Sequence, residues 1–205
     1  MGPLQLSVND TLVPLGPPKQ RAVLAMLVIN RNRPVGVESL INAVWCQSPV
    51  PAARATIQTH VSNLRRLLDD AGVDPHTVLA SAPPGYRLTV ADTDCDLGRF
   101  TTERTAGIHA AAAGRFEQAS SHLSAALAEW RAPVLDDLRD FAFVDAFATA
   151  LMEDKVLAYT VRAEAEIACG RAYTVIGELE ALTGEHPYRG TVTLVSVGDL
   201  GGFVG

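Results

Sequence analysis

Residues 52–68 show the clearest alternation of hydrophobic and polar positions in the chain. Four apolar residues recur at spacings of three and four, which places them on one side of a helix that packs on a core: Ile57, Val61, Leu64 and Leu68. Polar residues occupy the rest of the surface: Arg54, Gln58, Thr59, Ser62, Asn63, Arg65 and Arg66. A helix of this kind fits a DNA major groove about 12 Å wide, where polar side chains reach base edges and arginines reach guanines or phosphates. An ordinary solvated helix face is the alternative for this stretch alone.

The segments on either side complete a recognisable order. Apolar alternation predicts an N-terminal hairpin over residues 4–15, and helical spacing predicts two helices that begin near Pro18 and Val37. After Gly72, two strands are predicted over residues 77–80 and 86–90, with a tight turn between them. Three helices followed by a hairpin form a winged helix, whose hairpin lies over the minor groove or the sugar-phosphate backbone. Arg87, near the hairpin tip, is the predicted wing contact.

From residue 92 the chain becomes helical and alanine-rich. Helices are predicted over about 96–113, 116–130, 144–169 and 175–182, with breaks at Gly114 and Gly170. Four positions share their offsets across these two breaks: Gly114, Ala119, Leu123 and Ala126 match Gly170, Val175, Leu179 and Leu182. The offsets resemble half of a tetratricopeptide repeat, although the spacing of 56 residues is longer than the usual repeat. Such helix pairs stack into protein-binding surfaces, whereas a passive spacer or dimerisation unit is the alternative.

We therefore predict a mainly α fold with small β-hairpins. A winged helix-turn-helix domain occupies residues 1–91 and an α-helical, TPR-like domain occupies residues 92–189. Charge follows the same division: the first segment has eight Lys and Arg against five Asp and Glu, whereas residues 92–205 have nine against eighteen. A basic half joined to an acidic half suits a DNA reader coupled to a protein-interaction module, although ordinary variation between domains would give the same difference.

The composition narrows the class of protein further. The chain has no apolar run near the roughly 20 residues of a membrane helix and no signal segment, so a cytoplasmic protein is expected. Its three cysteines are scattered, which predicts neither a disulfide framework nor a zinc site. No phosphate loop, GxSxG, HExxH or Cys/His arrangement is present. We predict that the protein is not an enzyme and uses no metal or cofactor.

Three motifs now carry a specific resemblance. Residues 18–25 (PKQRAVLA), 56–68 (TIQTHVSNLRRLL) and 84–88 (PGYRL) resemble the winged-helix domain of actinobacterial AfsR/SARP-type activators, which is similar to the effector domain of OmpR/PhoB response regulators. The resemblance implies groove-facing positions for Thr59, Ser62 and Asn63, and backbone contacts from His60 and Arg65. Arg87 matches the wing arginine. For His60, a packing role against the core is at least as plausible as a phosphate contact.

A second resemblance covers the helical half. Residues 97–100 (LGRF), 128–131 (AEWR) and 185–189 (EHPYR) resemble the bacterial transcriptional activation domain, the usual partner of this winged helix. The family implies a sequence-specific regulator that binds direct repeats in double-stranded promoter DNA and either forms a homo-oligomer or recruits RNA polymerase. Resemblance to a mycobacterial branch of the family implies control of cell-wall arabinosyltransferase genes and a link to Ser/Thr protein kinases through a forkhead-associated domain. Resemblance to other branches implies control of secondary-metabolism genes.

The C-terminal residues depart from this pattern. Residues 190–205 are rich in glycine and valine, with Asp199 as their one charge, whereas the family continues with acidic and apolar helical sequence. We predict a divergent tail, which is either the product of truncation or a shifted reading frame or a short disordered end, and no room for a forkhead-associated domain. The alternative function is a truncated interaction module that binds or inhibits a Ser/Thr protein kinase or a full-length paralogue.

Overall fold

The computed structural model describes residues 1–46 and 50–172. Its elements follow the predicted order of a winged helix and then a helical domain, so the predicted fold class is confirmed. The strands are β1 (Ser7–Val8), β2 (Thr11–Leu12), β3 (Val35–Gly36), β4 (Leu79–Ala82) and β5 (Gly85–Leu88). The helices are α1 (Pro18–Ile29), α2 (Val37–Trp45), α3 (Ala53–Asp70), α4 (Pro75–Val78), α5 (Asp96–Ala112), α6 (Phe116–Ala128) and α7 (Ala142–Ala168). The helix predicted near residue 175 and the tail lie outside the described residues.

The core of the winged-helix domain lies between α1, α2 and α3. Val23 and Leu27 of α1 meet Leu40 of α2 and the apolar side of α3, and all are buried. Pro18 begins α1, where its fixed φ suits the first helical turn and its missing N–H costs nothing. The buried Gln20 side chain donates from Nε2 to the Leu15 carbonyl oxygen at 3.0 Å, which ties the start of α1 to the segment between β2 and α1.

A three-stranded antiparallel sheet, in the order β3-β5-β4, contains the hairpin of the wing, which β4 and β5 form. Val35 pairs with Tyr86 and Gly36 with Gly85, so the short β3 lies along the first half of β5. No hydrophobic pattern in the sequence predicts β3, which has only two residues. A Cβ on Gly85 would lie 1.9 Å from the Val35 carbonyl oxygen, which explains why glycine begins β5.

The predicted strand over residues 77–80 is wrong in its first half. Pro75–Val78 forms one helical turn, and β4 begins at Leu79. The Asp74 carboxylate accepts hydrogen bonds from the His76 N–H and the Thr77 hydroxyl, and Pro75 takes the first helical position. These capping interactions outweigh the strand preference of the following residues. The return strand also ends earlier than predicted, at Leu88.

The second domain packs α5, α6 and α7 side by side. Phe100 and Leu123 are completely buried between them. Gly107 lets α5 approach α6 closely, because a Cβ there would lie 2.5 Å from Leu123 Cγ. Gly114 has a positive φ of 72° and Gly170 of 77°, which confirms both as the predicted helix breaks.

The two domains share residues at their junction. The side chain of Met1 is buried in the helical domain against Leu97 and Phe100, and Phe141 and Phe143 pack against the winged-helix core. Arg31 of the first domain donates from Nη2 to Asp92 at 2.7 Å. The first residues of the chain therefore complete the core of the second domain. None of the helices in the described ranges is long and apolar enough to cross a membrane.

Candidate nucleic-acid interface

Helix α3 presents one buried and one exposed side, as its periodicity predicts. The apolar residues Ile57, Val61, Leu64 and Leu68 are between 0% and 7% exposed. The polar side is open to solvent at Gln58, Thr59, Ser62 and Arg66, and half-buried at Asn63. The Thr59 hydroxyl donates to the Ala55 carbonyl oxygen at 3.0 Å, which leaves its oxygen free to accept. Burial of one side thus fixes the direction in which the polar row faces.

The two exposed arginines of α3 have different surroundings. Arg54, near the start of the helix, forms an ion pair with Glu38 of α2. Both side chains of this pair are more than half exposed, so the pair is weak and can exchange its partner for a phosphate. Arg66 is exposed and makes no hydrogen bond or ion pair with the described part of the chain. Its guanidinium is the more available of the two for an anion.

The structure directs His60 towards the protein. Its side chain is half-buried, and neither ring nitrogen has a hydrogen-bond partner among residues 1–46 and 50–172. Burial, followed by the positive charge of Lys19, lowers the pKa of His60 below its ordinary value. A neutral ring of this kind suits packing better than a contact with a phosphate. The backbone contact implied for His60 stays a prediction.

Arg65 is also directed inwards, towards the wing. Its Nε donates to the Leu79 carbonyl oxygen at 3.0 Å, and its Nη2 donates to Ser81 Oγ at 3.0 Å. The guanidinium carbon lies 5.8 Å from the centre of the Tyr86 ring. Arg65 therefore connects α3 to both strands of the wing. Its implied phosphate contact stays a prediction.

The wing arginine lies on the outer face of the hairpin. Arg87 pairs with Ala80 across β4 and β5, while the neighbouring pair, Ser81 and Tyr86, faces Arg65. Successive side chains in a strand point to opposite faces, so Arg87 points away from α3 and is exposed. Arg66 on the helix and Arg87 on the wing are therefore two exposed arginines on different elements.

The sequence pattern does not identify two residues that shape this surface, Glu38 and Ser81. It predicts Ser81 within the turn, whereas Ser81 belongs to β4 and accepts the Arg65 hydrogen bond. Neither residue carries a local signal, because each acts on a side chain 16 positions away. Within the described ranges, no group of three or more His, Cys, Asp or Glu could hold a metal ion.

Comparisons with known proteins agree with both halves of the fold. Residues 13–88 match the family described as transcriptional regulatory protein, C terminal. Residues 95–193 match the bacterial transcriptional activator domain. The first match covers α1 to the wing and the second covers the helical domain, so the change of family falls at the domain junction.

Individual relatives align with the chain across both regions. The chain is 72% identical over 189 residues to the transcriptional regulatory protein EmbR of Mycobacterium tuberculosis and 52% identical over 190 residues to MoaR1 of the same organism. These alignments cover 92% of this chain but 49% of EmbR and 61% of MoaR1. The regulatory protein DnrI of Streptomyces peucetius is 29% identical over 192 residues, which cover 91% of this chain and 71% of DnrI.

A solved structure is similar throughout the aligned region. It is described as Mycobacterium tuberculosis EmbR in complex with a low-affinity phosphopeptide, with a TM-score of 0.87 and 72% sequence identity. The alignment covers 92% of this chain and 50% of that one, so this chain spans about half the length of EmbR. The chain belongs to the family of transcriptional regulators that join an OmpR/PhoB-type winged-helix DNA-binding domain to a bacterial transcriptional activator domain.

Proposed function

We propose that this chain binds promoter DNA sequence-specifically, with α3 in the major groove and the β4–β5 wing over the minor groove or backbone. The exposed polar row on α3, from Gln58 to Arg66, carries the proposal. The opposite side of α3 is buried in the core, so the polar row can face in only one direction. Arg87 provides a second cation on the wing.

The proposed DNA contacts are of two chemical types, one to base edges and one to phosphates. Thr59, Ser62 and Asn63 supply hydroxyl and amide groups for base edges, where each good contact is worth about 1–3 kcal/mol of discrimination. Gln58 flanks them on the same exposed side. Arg54 and Arg66 supply sequence-independent attraction to phosphates, and each neutralised phosphate adds about 0.9 to the slope of log affinity against log salt.

The targets and partners that we propose follow from the family resemblance. Direct repeats about one helical turn apart would place two copies side by side, and the acidic helical domain would hold those copies together or contact RNA polymerase. Candidate promoters are those of cell-wall arabinosyltransferase genes and of secondary-metabolism genes. Fragments of both classes therefore belong in the binding assay.

The test is binding of the purified full chain to these duplexes, and to a random duplex pool, across about 50 to 200 mM salt. Arg66→Ala should lower the salt slope by about 0.9 at every sequence. Asn63→Ala should instead weaken binding to the preferred sequence by about 1–3 kcal/mol and leave random DNA unaffected. Arg115→Ala is the matched control, because Arg115 is an exposed arginine of the helical domain.

A folded sample that binds no duplex at the lowest salt would overturn the proposal. The second candidate, an interaction module, would then lead. It draws on the acidic character of residues 92–205, which carry nine Lys and Arg against eighteen Asp and Glu. Titration of the full chain with a Ser/Thr kinase domain, and with a longer regulator of the same family, would test it directly.

A further inference from the structure

We propose that Arg65 is a positioning residue, which holds the wing at a set orientation to α3 so that Arg87 and the polar row of α3 meet DNA together. This inference rests on the proposed DNA binding. It assigns Arg65 a role within the protein, in place of the phosphate contact that the family resemblance implies.

The guanidinium of Arg65 donates hydrogen bonds to β4, so these donors are not directed towards an external anion. Nε and Nη2 donate to the Leu79 carbonyl oxygen and to Ser81 Oγ, both at 3.0 Å, so one planar guanidinium spans two positions of the strand. The side chain is half-buried against the Tyr86 ring of β5. One residue of α3 therefore contacts both strands of the wing.

The neighbouring Arg66 shows that this arrangement is not general on α3. Arg66 is exposed and makes no hydrogen bond or ion pair with any residue that the structure describes. Two adjacent arginines thus have opposite surroundings on one helix, because successive positions lie about 100° apart around its axis. Arg66 is free for a ligand, whereas two donors of Arg65 are already engaged.

Arg65 contacts the strand of the hairpin that β3 does not reach, because the sheet order is β3-β5-β4 and β4 lies at the edge of the sheet. Each strand of the hairpin has four residues, and β5 is paired outside the hairpin through Val35 and Gly36 of β3. Ser81 pairs with Tyr86, the residue directly before Arg87. A change in the orientation of β4 at Ser81 would therefore move Arg87 relative to the polar row of α3.

The first test measures the free protein. Hydrogen exchange of the wing amides, residues 79–88, should become at least several-fold faster in Arg65→Lys and in Ser81→Ala, while exchange in α1 and α5 stays unchanged. Lysine keeps the charge but lacks the planar fork that reaches two acceptors. Arg66→Ala is the control and should leave wing exchange unaltered. Unchanged wing exchange in both test variants would overturn the proposal.

The second test measures DNA affinity with a double-mutant cycle. Arg65→Lys should weaken binding by roughly tenfold, the size of a loss of about two hydrogen bonds, and Ser81→Ala should reproduce part of this loss. Arg87→Ala should cost much less in the Arg65→Lys background than alone, because a displaced wing no longer places Arg87 on DNA.

The outcomes separate the inference from the proposed function. If Arg65→Lys binds like the unchanged chain while Arg65→Ala lowers the salt slope by about 0.9, Arg65 is a phosphate contact and the positioning role fails. If the wing amides exchange faster in the variants but the unchanged chain binds no DNA, Arg65 does hold the wing and the proposed function fails.

Discussion

The carboxylate of Asp137, in the loop before α7, lies 3.1 Å from the guanidinium of Arg21 on α1. Its other oxygen accepts a hydrogen bond from the Leu4 backbone N–H at 2.9 Å. One acidic residue of the helical domain therefore holds two separate segments of the winged-helix domain. Asp137 and Arg21 are both largely shielded from solvent, so water screens their attraction less than at an open surface.

We expect Asp137→Ala to lower the free energy of unfolding by about 1–3 kcal/mol, since it leaves a shielded N–H without its acceptor and a shielded guanidinium without its ion-pair partner. Urea unfolding measures the change. Asp136→Ala is the matched control: Asp136 pairs with Arg139, which is 70% exposed, and a surface pair contributes about 1 kcal/mol or less. Equal losses in the two variants would show that Asp137 does not join the domains.

The end of α7 carries a buried carboxylate whose ionisation supports the fold. Arg171 donates to Glu166, and the Ser120 hydroxyl of α6 donates to it as well. These hydrogen bonds lower the pKa of Glu166 from its ordinary value of 4.5 to about 2. A carboxyl with a lower pKa in the folded state stabilises the fold above its unfolded pKa, and the contribution is lost as the pH falls through the folded value.

We therefore expect Glu166→Gln to be less stable than the unchanged chain above pH 4.5, with the difference shrinking as the pH falls from 4.5 towards 2. Urea unfolding over this pH range tests the prediction. Glu164→Gln removes the same charge from an exposed position on the same helix and should show no such trend. A constant difference between Glu166→Gln and the unchanged chain at all pH values would contradict the assignment.

The close approach of α5 and α6 depends on Gly107. Gly107→Ala should destabilise the protein by about 1–3 kcal/mol, because its Cβ would lie 2.5 Å from Leu123 Cγ. Thermal and urea unfolding measure the loss. In a double variant, Leu123→Ala makes room for the new methyl group, so the combined loss should be smaller than the sum of the two single losses. Additive losses would mean that Gly107 does not limit the helix spacing.

The pairing of β3 with β5 predicts different effects of alanine at its two glycines, Gly85 and Gly36. Gly85 and Gly36 are directly paired, yet a Cβ on Gly85 would lie 1.9 Å from the Val35 carbonyl oxygen, whereas the nearest atom to a Cβ on Gly36 is at 3.8 Å. Gly85→Ala should therefore separate the strands, speed hydrogen exchange in β5 and weaken DNA binding. Gly36→Ala should be tolerated. Similar behaviour of both variants would argue against the β3–β5 pairing.

Much of the winged-helix surface could be predicted without tertiary contacts. The apolar spacing of α3 identifies both the helix and the side that is buried, and the exposed positions of Gln58, Thr59, Ser62 and Arg66 follow from it. Gly114 and Gly170 likewise mark helix ends because their backbone conformation favours glycine. The turn at Pro75 was missed, since its Asp74 cap competes with the strand preference of the residues after it.

The sequence by itself determined the succession of a winged helix and a helical domain, and the polar side of α3, because each depends on residues a few positions apart. The tertiary structure alone decided which polar side chains on α3 remain available. Helical spacing separates Arg65 from Arg66 by about 100°, but it does not show that Arg65 meets acceptors 14 and 16 residues further along the chain. Leu4 similarly meets Asp137 across 133 residues. Such contacts form only when folding brings distant segments together, and no local pattern encodes them.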